Sequence, residues 1–470
     1  MTSKHFNLLW FTLIILFSHF NTWGQSKFIG SWGGKFSIQG MQMGLIFNIQ
    51  QNSGQLSATM DSPDQGAKGI PVKTVKTIGD SVFLEIPEIV FTYKGKWMND
   101  THIDGVFIQR GASFPLNLEK DGLKPKIKSQ TPQKPFPYLE KEVVFENKRE
   151  KISLSGTLTF PQGKGPFPAI VLVSGSGPQD RNETILGHEP FLVLADFFTR
   201  NGFAVLRYDD RGVGQSKGNF ETATTADFAE DAMAAVNFLY QNKQIDKKRI
   251  GIMGHSEGGE IATMLAAQNT KQLAFIVMLA GPGMSGDQIL LQQQKYLARA
   301  VKESDAAIEQ SQKMNQQIFE IMKSTKDTAL IRSRVLTYLN NSYNDGTLEK
   351  VEGQTKEETV STYSNALLSP WLIYFVQYNP QSDLQKIKIP VLALIGSKDV
   401  QVIPEYNIPA LKSAFEKSGN KRATVLELEG LNHLFQEANT GLPQEYGNIE
   451  QSFSPKAMKV ILEWLQKNVK

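Results

Sequence analysis

The sequence predicts an α/β fold, a mostly parallel sheet with helices on both faces, preceded by a small all-β domain. Beyond about residue 139, near-continuous apolar runs alternate with helical segments, as in a parallel sheet buried on both faces. Residues 25–120 instead show short alternating runs between turn signals, as in an antiparallel barrel or sandwich. A polar segment of helical texture, at about 284–380, interrupts the strand–helix rhythm and predicts a helical cap.

The composition narrows the classes of protein to consider. The chain has 470 residues, of which 40% are hydrophobic, enough for two or three structural units. Fifty basic and 47 acidic residues leave a net charge of +3, so no global field favours nucleic acid or an anionic membrane surface. The chain contains no cysteine, which excludes a disulfide framework and a thiolate metal site.

Residues 1–24 predict a signal peptide. Lys4 precedes an apolar core at residues 8–17, which is too short to span a bilayer. Cleavage near Gly24 would leave Gln25 as the first residue. We therefore expect an exported protein, periplasmic or extracellular, with no stable membrane anchor after cleavage. The alternative is a buried helix, which the lack of a following amphipathic period disfavours.

The all-β region shows its clearest alternation at residues 44–51, 81–86 and 103–109. Its start, Gly30-Ser-Trp-Gly-Gly34, resembles the opening strand of lipocalin-like barrels. Such a domain could contact a glycan, another ligand or a protein, or act as a spacer. Residues 121–138 hold four prolines and four lysines with no apolar period, which predicts a semi-extended linker.

The α/β region, residues 139–470, opens with a predicted hairpin at 142–147 and 152–160. The buried strands that follow are predicted at 168–173, 204–208, 250–253, 275–279, 391–395 and 423–428. The helices between and after them are predicted at about 190–201, 226–242, 257–268 and 455–468.

The most informative motif is Gly254-His-Ser-Glu-Gly258, which follows a predicted strand and opens a predicted helix. A G-x-S-x-G pattern in this context predicts a nucleophile elbow, in which a strained serine is flanked by glycines because side chains there would clash. The turn would lift the Ser256 hydroxyl to a helix N-terminus, where an oxyanion is favoured. A plain Gly-Ser turn is the alternative.

A nucleophilic serine needs a base, and one histidine of six fits that role. Two histidines leave with the signal peptide, His102 lies in the β domain, and His188 lies in a loop before the nucleophile. His255 adjoins Ser256, so its side chain must point elsewhere. His433 follows the last predicted strand after a glycine turn and is the predicted base.

The acid that orients this base should follow a strand between the two residues. Asp399 follows the strand at 391–395 and is the predicted acid, whereas Asp383 precedes that strand and is the fallback. The order Ser, Asp, His is the order in α/β-hydrolases. All three side chains are expected at one edge of one sheet.

Further motifs carry a resemblance to a known family. They are the elbow, Asp210-Arg-Gly-Val-Gly-Gln-Ser216, Gly396-Ser-Lys-Asp399 and Asn432-His433. On these motifs residues from about 140 to 470 resemble an α/β-hydrolase of the serine esterase and S9/S33-peptidase-like group. Gly175-Ser-Gly-Pro-Gln-Asp-Arg181 is similar to the oxyanion loop of secreted bacterial carboxylesterases that carry an N-terminal β domain.

The resemblance implies that the backbone N–H groups of Ser176 and Glu257 form the oxyanion hole. The chain departs from the pattern at Ser174, where many relatives have histidine. Asp210 and Arg211 are expected to hold their own loop together. Arg181 is expected to do the same, or to meet an anionic group of the substrate.

These residues predict two-step acyl transfer on a small-molecule ester, with no metal or organic cofactor. Trp371, Tyr374 and Phe375 of the cap are expected either to line the acyl pocket or to dock the cap on the sheet. Within the hydrolases the alternative is a serine exopeptidase, which would need a subsite for the substrate amine. Outside them, the alternative is a non-catalytic exported protein that binds a ligand through the β domain.

Overall fold

The computed structural model describes residues 26–38, 41–52, 54–65, 67–109, 112–123, 128–350 and 354–469. The predicted signal peptide, residues 1–24, lies outside them. The chain forms two compact units: the first runs to Ile127 and includes residues 185–187, and the second comprises the rest. Within the described ranges, no helix is both long enough and apolar enough to span a membrane.

Among the described residues of the first unit, ten strands form an antiparallel sheet. They are β1 (Gly30–Ile38), β2 (Met41–Asn52), β3 (Gln55–Ser62), β4 (Ala67–Val72), β5 (Thr74–Ile78), β6 (Ser81–Ile86), β7 (Phe91–Asn99), β8 (His102–Gln109), β9 (Ala112–Pro115) and β10 (Leu118–Lys120). Their order is β4-β3-β2-β1-β10-β8-β7-β6-β5, with β9 paired to β8. Because the two edge strands follow each other in the chain, the sheet is a near-barrel around buried Trp32, Phe47, Tyr93 and Phe107.

An eight-stranded sheet forms the centre of the second unit. Its strands are β11 (Leu139–Asn147), β12 (Ile152–Phe160), β13 (Phe167–Val173), β14 (Ala204–Tyr208), β15 (Ile245–His255), β16 (Phe275–Leu279), β17 (Val391–Gly396) and β18 (Ala423–Leu428). The order is β11-β12-β14-β13-β15-β16-β17-β18, parallel from β14 onward. This arrangement confirms the predicted α/β-hydrolase fold. The carboxyl ends of its parallel strands meet at one edge, where α/β proteins bind ligands.

Helices cover both faces of this sheet. They are α1 (Pro190–Arg200), α2 (Thr225–Gln241), α3 (Glu257–Ala267), α10 (Pro404–Ser418) and α12 (Pro455–Asn468). One core joins the sheet to α2, α3 and α10, and the other joins it to α1 and α12.

Helix α10 was not predicted, because Pro404 and Pro409 break its apolar period. Pro404 is tolerated at the first helical turn, and Pro409 lies inside the helix at the loss of one backbone donor.

The predicted cap is a set of helices inserted between β16 and β17. They are α4 (Gly286–Ala300), α5 (Asp305–Lys323), α6 (Thr328–Asp345), α7 (Lys356–Leu367) and α8 (Pro370–Gln377), and the short helices α9 (Gln381–Leu384) and α11 (Pro443–Tyr446) lie further along the chain. Side chains of Ser304, Asp327, Thr355 and Ser369 cap four of the N-termini. The cap has its own core, which includes Ile318, Met322, Val335 and Leu339.

The boundary between the two units falls inside the predicted linker, between Ile127 and Lys128. Lys128 Nζ donates to the carbonyl oxygens of Gly447 and Ile449, at 2.9 and 2.7 Å. Gln130 accepts from the Ser452 N–H and donates to the Phe453 carbonyl. The side chains of Lys128 and Gln130, in the second half of the predicted linker, therefore bond backbone groups of the second unit.

Candidate active site

Ser256 lies at the turn between β15 and α3. Its backbone angles, φ 53° and ψ −116°, fall in a region that residues with a Cβ rarely adopt. Its N–H donates to Leu279 O at 2.8 Å, which ties the turn to the neighbouring strand. A Cβ at Gly254 would overlap the carbonyl of Gly258, and a Cβ at Gly258 would overlap that of Val173. The turn therefore requires glycine at both positions, as the motif predicted.

Asp399 and His433 form a buried pair at the same sheet edge. Asp399 Oδ2 accepts from His433 Nδ1 at 2.9 Å, and the two residues are 3% and 4% exposed. The other carboxylate oxygen accepts from the N–H groups of Gln401 and Val402, both at 2.8 Å. These bonds fix the carboxylate and assign the ring hydrogen to Nδ1. The basic nitrogen of His433 is therefore Nε2.

Contacts through His255 connect this pair to Ser256. His255 Nε2 donates to the backbone oxygen of His433 at 3.0 Å, and the two rings lie 4.9 Å apart between centroids. In the described part of the chain, Ser256 Oγ makes no hydrogen bond. Catalytic hydrogen bonds often tighten only when substrate is bound, so this geometry is compatible with a serine–histidine pair.

The predicted oxyanion loop runs beside the elbow. A Cβ built on Gly175 would lie 3.2 Å from Ser256 Cβ, so only a glycine-sized residue approaches the serine here without displacing it. The hydroxyl of Ser174 donates to Asp210 Oδ1 at 2.9 Å. Within the described ranges, the N–H groups of Ser176 and Glu257 have no protein acceptor.

The side chain of Glu257, one of these two residues, is buried beside the nucleophile. Its carboxyl accepts from Thr225 Oγ1 at 2.7 Å and from Trp371 Nε1 at 2.8 Å, and the Ser176 hydroxyl lies close enough to lower its pKa. Burial raises the pKa of Glu257, and these three groups oppose the rise. The Glu257 carboxyl thus bonds the start of α2 and the cap, and the oxyanion loop lies beside it.

The three cap aromatics have different surroundings. Trp371 reaches the elbow through Glu257 and stacks on Phe375, with ring centroids 5.3 Å apart. Phe375 is buried, and a Cβ on Gly286 would overlap its carbonyl group. Tyr374 stacks on Tyr378. Phe375 therefore packs within the cap, and Trp371 is the aromatic that reaches the elbow.

The remaining charged residues of the predicted loops have partners within the protein. Asp210 also accepts from the Gln179 N–H, and burial raises its pKa well above the usual range. Arg211 pairs with Asp231 at 2.7 Å. Arg181 pairs with Asp209 at 2.8 Å and with Glu142, which leaves its side chain little free for a substrate anion.

Two features of the site were not predicted from the sequence. Glu183 Oε1 bonds to both His255 Nδ1 and the Gly175 N–H, and Trp371 bonds to Glu257. The position of His255 next to the nucleophile was the only available signal for the first. Across the described residues, no group of three or more His, Asp or Glu side chains could hold a metal ion.

Comparisons with known proteins show what this chain is similar to. A family model described as X-Pro dipeptidyl-peptidase (S15 family) matches residues 150–422. Esterase EstD of Thermotoga maritima is 27% identical over 69% of this chain and 68% of its own. An uncharacterised 31.7 kDa protein of Escherichia coli, from the traX-finO intergenic region, is 26% identical over 68% of this chain and 98% of its own. The solved α/β-hydrolase GrgF of Penicillium sp. sh18 is 18% identical, with a TM-score of 0.44, over 70% of this chain and 99% of its own.

Proposed function

The chain belongs to the X-Pro dipeptidyl-peptidase (S15) family, and from this premise we propose that it cleaves carboxylic esters through an acyl-enzyme formed on Ser256. The chain is a serine hydrolase, and the relative with the esterase name supports an ester substrate. The observation that carries the proposal is the buried Asp399–His433 hydrogen bond of 2.9 Å, at the sheet edge that holds the strained Ser256.

In this mechanism, His433 Nε2 removes the hydroxyl proton of Ser256 as Oγ attacks the ester carbonyl. The N–H groups of Ser176 and Glu257 stabilise the oxyanion that forms. His433 then protonates the departing alcohol, and a bond between acyl carbon and Ser256 remains. Water, deprotonated by the same histidine, releases the acid and restores the serine. Asp399 orients the ring and stabilises its charged form throughout.

A second candidate activity is removal of dipeptides from a peptide N-terminus, which the family description favours. Such an enzyme needs an acidic group free to bind the substrate ammonium. Glu257 is the acidic side chain next to the nucleophile, and its carboxyl already accepts from two protein donors. This arrangement favours esters over peptides.

The test measures turnover by the protein of residues 25–470 and by its Ser256→Ala variant. The substrates are p-nitrophenyl esters from acetate to palmitate and X-Pro p-nitroanilides. We expect turnover of esters that the variant lacks, and little cleavage of the anilides. The chain-length profile would then measure the acyl pocket. Preferential cleavage of the anilides would assign the peptidase activity instead. Equal ester turnover by the two proteins would contradict Ser256 as the nucleophile.

We also propose that the protein is exported, to the periplasm or beyond the cell. Support comes from the charged start and short apolar core of residues 1–24. Expression of the full chain in a Gram-negative host tests this proposal. Mass spectrometry of the extracytoplasmic fraction should find a chain that begins at Gln25, and an uncleaved chain confined to the cytoplasm would contradict it.

A further inference from the structure

A buried carboxylate connects the oxyanion loop to the elbow. Glu183 is 5% exposed, and one of its oxygens, Oε1, accepts from the Gly175 N–H at 2.7 Å and from His255 Nδ1 at 2.9 Å. Neighbouring bonds hold Glu183 in place: its N–H donates to Asp180 O, and Asp180 Oδ1 accepts from the Thr184 N–H. The carboxylate therefore belongs to a hydrogen-bonded turn.

His255 extends this connection to the loop of the predicted base. Its Nε2 faces the carbonyl oxygen of His433, which can only accept, so Nε2 carries a hydrogen. Its Nδ1 faces Oε1 of Glu183, which as a carboxylate oxygen can only accept, so Nδ1 donates as well. A ring that donates from both nitrogens is an imidazolium. Burial opposes this charge, but the Glu183 carboxylate outweighs it and raises the pKa of His255.

The two side chains thus connect three loops that meet at Ser256. Gly175 precedes Ser176 in the oxyanion loop, His255 precedes Ser256 in the elbow, and the His433 carbonyl belongs to the residue that pairs with Asp399. A shift of about 1 Å between these loops would misplace the oxyanion donors and the base relative to the serine hydroxyl. None of these bonds involves the groups that react.

We propose that Glu183 and His255 are positioning residues, a buried ion pair that holds the oxyanion loop and the His433 loop in register with Ser256. This inference rests on the proposed acyl-transfer function and adds to it two residues that touch no substrate. The pair should affect the barrier to acyl transfer and leave substrate binding nearly unchanged, because it orders groups that act most strongly in the transition state.

The test uses Glu183→Gln, His255→Asn and the double variant in residues 25–470, with p-nitrophenyl acetate as substrate. Glutamine keeps an oxygen for the Gly175 N–H, and asparagine keeps a donor near the position of Nδ1. Glu189→Gln is the matched control, because Glu189 is a partly buried carboxylate nearby in the chain that accepts from Asn182. Titration with a fluorophosphonate counts the active molecules, so that misfolded protein does not distort the rates.

We expect each single variant to lose about 10- to 100-fold in kcat with KM changed less than about threefold. The inhibition constant of a trifluoromethyl ketone, which forms an oxyanion on the serine, should rise by a similar factor. The double variant should lose little more than the worse single variant, since the pair acts as a unit. The control should retain wild-type kinetics.

Two results would overturn the inference while leaving the proposed function intact. One is wild-type kcat per active molecule in both single variants, whatever their melting temperatures. The other is a change in KM alone. Failure of the proposed function would look different, since the wild-type protein would then lack ester turnover or Ser256→Ala would retain it.

Discussion

Trp371 Nε1 donates a 2.8 Å hydrogen bond to Oε1 of Glu257, the residue that follows the proposed nucleophile. Trp371→Phe removes this donor and keeps an aromatic ring. Since one such bond is worth about 1 to 1.5 kcal/mol, we expect kcat/KM on esters to fall about five- to tenfold. Trp464→Phe is the matched control, because its indole bonds Thr424 on β18, away from the elbow. Equal kinetics for the two variants would contradict a role for the cap contact.

Asp399→Asn tests the orientation of His433. An amide NH₂ in place of the oxygen that accepts from Nδ1 favours the wrong tautomer, so kcat should fall by about four orders of magnitude. Asp383→Asn is the control, because Asp383 accepts from the Tyr378 hydroxyl at 2.9 Å and was the alternative acid. Single-turnover kinetics measure both. A larger loss from Asp383→Asn would reverse the assignment.

Ser256→Gly should stabilise the protein while abolishing its activity. The φ of 53° strains any residue with a Cβ, at a cost of about 1 to 3 kcal/mol, and glycine avoids it. Ser256→Ala removes the same hydroxyl and keeps the Cβ. We expect the glycine variant to melt a few degrees above the alanine variant. A lower melting temperature for glycine would show that the turn carries little strain.

Acid should destabilise the second unit through His188. Both of its ring nitrogens have partners, Ser452 Oγ at 3.0 Å and Tyr446 O at 2.9 Å, and burial lowers its pKa to about 4. The unfolded chain, with an ordinary histidine, binds the extra proton below about pH 6.5. Stability is therefore full above that pH and falls as the pH drops toward 4, by up to about 3 kcal/mol.

Urea unfolding of the wild type and His188→Gln between pH 4 and 8 measures this effect. The difference in unfolding free energy between the two proteins should shrink as the pH falls. His255, whose pKa is raised, has the opposite sign, since its contribution is full below its unfolded pKa and is lost as pH rises through the folded one. A difference that stays constant with pH would contradict the assignment to His188.

The sequence was sufficient to predict the site residues that lie directly after the ends of strands. Asp399 and His433 each follow a buried strand, and parallel strands of one sheet bring their carboxyl ends together whatever the sequence separation. The contacts of Glu183 with His255 and of Trp371 with Glu257 depend instead on how loops pack. Their partners lie 72 and 114 residues apart. A buried glutamate and an exposed one have the same signature in a sequence, so neither contact was predictable.

The place where this protein can be divided depends on one set of hydrogen bonds. Lys128 and Gln130 bond the stretch between Gly447 and Phe453. A fragment that begins at Leu139, where the strand pattern begins, would lack the groups that satisfy those backbone atoms. It would expose a newly unpaired loop to proteases and to aggregation. A fragment that begins at Lys128 retains them. Studies of the catalytic unit in isolation should therefore begin eleven residues before its first strand.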